Sequence, residues 1–133
     1  MTPPVPLLAL CAVLLCAVAC TPVDWAEVRS TAEAARDDVA DVSAAVSALA
    51  PGIVAACPTP PPDALRDACR AVDVAWQAVR TAIIVANRTV EAYDATGQTV
   101  EAALKAVDAA DDALEALRRA VEAVQALAEP VAP

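Results

Sequence analysis

Histidine and phenylalanine are missing from this chain of 133 residues, and lysine occurs once, as Lys105. Without imidazole there is no Ser–His or Cys–His nucleophilic pair, no histidine base and no His-ligated metal or haem. Aromatic residues are scarce: Trp25, Trp76 and Tyr93 are all there are, too few for a sugar-binding platform. Glycine occurs only as Gly52 and Gly97, and both stand where a helical pattern stops. Positive charge is also in short supply. Nine basic residues against 18 acidic ones leave a net charge of −9, which argues against a nucleic-acid partner. The expectation is a protein without a catalytic centre or a cofactor.

What the chain does hold is small and apolar. Hydrophobic residues make up 59% of it, and by count 36 are Ala and 19 are Val. The charges are not evenly spread. None falls between Met1 and Thr21, and all begin at Asp24. The uncharged run from Val5 to Cys20 is about 16 residues, short of the roughly 20 that a membrane-spanning helix needs. Its length suits the apolar region of an export signal.

That run ends Ala17-Val18-Ala19-Cys20, small residues leading into a cysteine. It resembles the lipobox of bacterial lipoproteins, although Ala17 stands where the family favours Leu. The resemblance implies that residues 1–19 are a removable signal peptide and that Cys20 becomes the acylated N-terminus. Residues 20–23 would be the tether, residues 24–129 the folded domain and residues 130–133 a tail. Thr21 in place of Asp after the cysteine resembles the sorting pattern for the outer membrane, where the host has one. Plain secretion and an uncleaved anchor are the competing readings.

From Trp25 the periodicity is helical. Apolar residues at 25, 28, 32, 35, 39, 42, 46 and 49 step by three and four, one face of an α-helix. Asp24 is a suitable N-cap, with Glu27 as its capping-box partner, and Pro51-Gly52 marks a stop. A second stripe runs through 65, 69, 72, 76, 79, 83, 86, 90 and 93, with Asp63 as a candidate cap and Gly97 as a C-terminal stop. A third runs through 100, 104, 107, 110, 114, 117, 121, 124 and 128, with Thr99 as a candidate cap. Helices of about 24–50, 63–95 and 99–128 are expected, roughly 40–50 Å each at about 1.5 Å per residue. Similar lengths and short connections predict an all-α, antiparallel three-helix bundle with an Ala/Val-rich core. The rival is a single helix running through Gly97, because the second stripe's spacing carries on to Val100.

Alanine buries little area per residue, so such a core calls for a staple. If Cys20 is acylated, the mature chain keeps Cys57 and Cys69. They flank the turn Pro58-Thr59-Pro60-Pro61-Pro62, and an exported chain meets an oxidising compartment. A Cys57–Cys69 disulfide is expected, worth about 3 kcal/mol by loop entropy. The prolines read as a stiff connector, with a polyproline recognition segment as the alternative.

Other candidate chemistry has plain explanations. Asp108, Asp111, Asp112 and Glu115 share one helix face, as do Asp37, Asp38 and Asp41. Hard cations prefer oxygen ligands, yet one face seldom offers six converging oxygens, so both groups read as solvated surface and no metal is expected. Trp25 and Trp76 fall on the apolar stripes and are expected in the core; Trp25 has a membrane-interface alternative. Asn87-Arg88-Thr89 matches a glycosylation sequon and reads as accidental. The functional expectation is a lipid-anchored protein of the cell envelope, structural or interacting with another envelope protein or with its own copies. It looks distantly like murein-lipoprotein-type coiled coils, which also carry Ala-rich heptads after an acylated cysteine. Their C-terminal wall-attaching Lys has no counterpart in Glu129-Pro130-Val131-Ala132-Pro133. A small-molecule or metal binder and a phage lysis-type lipoprotein are the alternatives.

Overall fold

Asp24 sets the start of the first helix. Its backbone is extended, and its carboxylate accepts hydrogen bonds from the N–H groups of Ala26 at 3.1 Å and Glu27 at 3.3 Å. These are orphan donors of the first turn, which a short acidic side chain satisfies. The structure, a computed structural model, describes residues 22–128. Cys20, the signal segment and residues 129–133 lie outside the described residues. Helix α1 runs Trp25–Ala56, α2 runs Arg66–Thr96 after a short 3-10 turn over Asp63–Leu65, and α3 runs Val100–Ala128. The three pack against one another as an antiparallel bundle, and each touches the other two.

The core follows the stripes. Val28, Ala32, Ala35, Val39, Val42 and Val46 of α1 are buried, as are Cys69, Val72, Val79, Ala86, Val90 and Tyr93 of α2. On α3 the buried series Val107, Ala110, Leu114, Leu117, Val121 and Val124 matches the expected face. Among the described residues no polar or charged side chain is buried. The largest fully buried side chains are Leu117, Val79, Val90 and Val124, so the interior is filled by small units at close helix separation.

Three local expectations need correction. First, α1 does not stop at Pro51-Gly52 but continues to Ala56 with Pro51 inside it. A mid-helix proline costs about 3 kcal/mol. The last turn offsets this by packing Leu49, Ile53, Ala56 and Cys57 against the core. Second, the start of α3 is rotated from the expected face. Leu104 is 46% exposed, and Ala103 and Ala106 are buried in its stead. Beside the α2–α3 turn the core is thus filled by Tyr93 of α2 and by alanines of α3 rather than by a leucine. Third, neither expected cap at α2 or α3 acts through its side chain. The Asp63 carboxylate pairs with Arg66, and the Thr99 hydroxyl donates to the Gln98 carbonyl.

Gly97 ends α2 and rules out the continuous-helix reading. It adopts φ 67°, and its N–H donates to the Tyr93 carbonyl at 2.7 Å. The left-handed conformation favours glycine. A second constraint acts on the same atom, because a Cβ here would lie 2.4 Å from Cγ1 of Val23. Gly97→Ala is therefore expected to destabilise the bundle by about 1–2 kcal/mol, a fall in Tm of roughly 5–10 °C. Val23→Ala in the same chain should recover part of that loss. Thermal melts of the parent, the single and the double variant check both points.

Candidate functional site

The proline turn gathers the chemistry of the molecule at one end. Cys57 caps α1 and Cys69 lies one turn into α2; their sulfurs are 2.15 Å apart and their Cα atoms 5.7 Å apart, a disulfide across the hairpin. Cys69 is buried, and Cys57 packs against the core from its edge. The bridge ties the last turn of α1, the part beyond Pro51, to the start of α2.

Beside the disulfide lies a groove of about 580 Å³ between α1, the turn and α2. Ile53, Val54, Pro58, Pro61 and Trp76 give it apolar walls, and Arg66, Arg70 and Asp73 supply charged groups at its edge. Its volume is in the range of small-molecule sites. Arg66 is held by Asp63, whereas Arg70 has no carboxylate within ion-pair distance among the described residues. The expected placement of Trp76 is met in part, since it packs against the core and also faces this groove. Trp25 is a correction. It is 49% exposed in the first turn of α1, although Val28, one turn on, is buried.

At the opposite end Arg36 of α1 donates to Asp94 of α2 at 2.5 Å. This bond, with further attraction from Asp94, Glu91 and Glu33, holds the guanidinium proton more tightly than usual. The sequence gives no warning of this pair, which spans 58 positions.

The acidic residues come together across helices as well as along one. Asp111 of α3 titrates higher than an ordinary carboxylate, first because neighbouring atoms partly desolvate it and then because Asp38 of α1, Asp108 and Asp112 are close. Glu115 is engaged elsewhere, 3.6 Å from Arg118. Among the described residues no three Cys, Asp or Glu side chains are grouped to hold one metal ion. Asn87 is exposed on α2, and the Thr89 hydroxyl is turned back onto the Val85 and Ala86 carbonyls.

No protein-family model, curated protein or solved structure matches the chain.

The raised Asp111 titration has a definite sign. A proton bound more tightly in the folded state means that the ionised carboxylate works against folding at neutral pH. The penalty is relieved as pH falls through the folded-state value. Asp111 is exposed, so screening keeps the effect small. Asp111→Asn is expected to raise Tm by about 1–2 °C at pH 7. The gap should close near pH 3, where the parent is protonated in both states. Melts at the two pH values check it.

Proposed function

We propose that the chain is a lipid-anchored helical protein of the cell envelope, acting through contacts with other molecules rather than through catalysis. The observation that carries the reading is the Cys57–Cys69 bridge in a chain whose first 21 residues hold no charge. Disulfides persist in oxidising compartments, and an apolar leader of that length is one route to them. Ala17-Val18-Ala19-Cys20 adds the small-residue approach to a cysteine that lipoprotein processing uses. Helix α1 is itself long and apolar enough to cross a membrane, with a mean hydropathy of 1.7 in its most apolar stretch. Its row of buried Val and Ala faces α2 and α3, which accounts for part of that apolarity within the bundle. Outer-membrane placement, through Thr21 after the cysteine, belongs to the same proposal.

The groove at the proline turn favours a second reading, a lipoprotein that carries a small apolar ligand. The two differ in what occupies the groove. A carrier should give ligand-dependent changes in Trp76 fluorescence and a raised Tm, measured in a Trp25→Tyr background. A contact protein should give neither.

Labelled palmitate supplied to cells that express the chain is expected to enter the parent and to be lost in Cys20→Ser. Labelling that survives the substitution would remove the lipoprotein reading and leave secretion or an uncleaved anchor.

A further inference from the structure

The α2–α3 hairpin has a second apolar face to which α1 contributes nothing. Ala78, Ala82 and Val85 of α2 and Ala106 and Ala109 of α3 line a groove of about 520 Å³ there. Valines extend it along α2: Val74 is 66% and Val85 45% exposed. The positions Ala71, Val74, Ala78, Thr81 and Val85 step by three and four, so α2 carries an outer helical stripe beside its core stripe. On α3 a matching stripe runs from Ala102 to Leu127 at steps of four and three, with alanine at every position but the last. Leu127 is 63% exposed. A soluble surface does not normally leave valine and leucine along such a face without an occupant.

The charges flanking the face identify the occupant. Asp112 and Arg119 stand seven residues apart, at the outer edge of the α3 stripe. Both are exposed, and neither takes part in an ion pair among the described residues. We propose that this face is the contact between two copies of the chain, with α3 antiparallel to α3 of its partner about a two-fold axis. Complete overlap of the stripe sets Ala102 opposite the partner's Leu127. In that register Asp112 comes alongside the partner's Arg119, and the two-fold repeats the pair. A parallel, in-register pairing would instead place this edge of the two copies on opposite sides of the seam, leaving Asp112 and Arg119 without each other. Alanine along the seam lets the helices approach closely. With a net charge of −9 on each chain, two copies repel except where such pairs meet. The two N-terminal ends lie at opposite poles of this pair, so copies anchored in one membrane form it only with their long axes along the surface; the inference does not rest on the lipid reading.

The test is sedimentation equilibrium of the full chain in a mild, density-matched detergent at low salt. The parent is expected to dimerise at concentrations below about 100 µM. Asp112→Arg and Arg119→Asp should each weaken the dimer by about tenfold or more, and the two together should restore it to near the parent affinity. Ala109→Glu, on the groove itself, should abolish it while leaving the helical content of the bundle unchanged, and should remove the concentration dependence of its Tm. A parent that stays monomeric would overturn the proposal. So would single variants that dimerise like the parent, or a double exchange as weak as the singles.

Discussion

A helix face built of alanine and valine offers little apolar area at each contact, so the three helices gain stability only by lying close together along their whole lengths. Burial is worth about 25 cal/mol per Å², and an alanine has few of those ångströms to give. The consequences run through the structure. The interior is dominated by Val79, Val90, Val124 and Leu117 rather than by aromatic rings. Each helix extends to about thirty residues, 32, 31 and 29 in chain order, because many thin contacts must replace a few thick ones. The ends are fastened by other means: a cap at Asp24, a left-handed glycine at the α2–α3 turn and a covalent bridge at the α1–α2 turn. The last turn of α1 shows how these devices work together. Pro51 interrupts its hydrogen bonding, yet Ile53 packs below it and Cys57 is bonded beyond it, so the helix has no freedom to unwind there.

Much of this architecture was legible in the sequence, because helical periodicity is a one-dimensional signal. The stripes from Val28 to Val46, from Cys69 to Tyr93 and from Val107 to Val124 could be read directly, and Gly97 marked the reversal between α2 and α3. Periodicity fails where two adjacent positions are both apolar. Ala103 and Leu104 each fit the third stripe; Ala103 is the one buried and Leu104 is half exposed, a choice that no spacing encodes. Trp25 fails too: it shares the stripe of Val28, yet it is half exposed in the first turn of α1. Pro51-Gly52 read as a stop because local propensity says so, and tertiary packing outweighed it.

The candidate site divides along the same line. The cysteine pair was legible because two thiols flanking a rigid turn are brought together by any hairpin. The groove beside them was not. Arg66, Arg70 and Asp73 look like ordinary surface charges until the fold sets them next to Ile53 and Trp76. The acidic residues were legible along their helix but not across helices. Read along one helix, Asp108, Asp111, Asp112 and Glu115 form a group. In three dimensions Asp38 of another helix joins Asp111, while Glu115 turns to Arg118. Pairings across helices, such as Arg36 with Asp94, depend on the rotation of both partners and lie beyond a linear reading.

The contact of Val23 with the Gly97 turn fixes the polarity of the molecule as an object. It holds the chain's entry point against one pole of the bundle, so whatever precedes residue 22 is attached there. The disulfide, the prolines and the larger groove all lie at the other pole. Helix α1, 32 residues long, separates the two by about 48 Å at 1.5 Å per residue. The length of the bundle thus separates residue 22 from the groove by nearly the full reach of the fold.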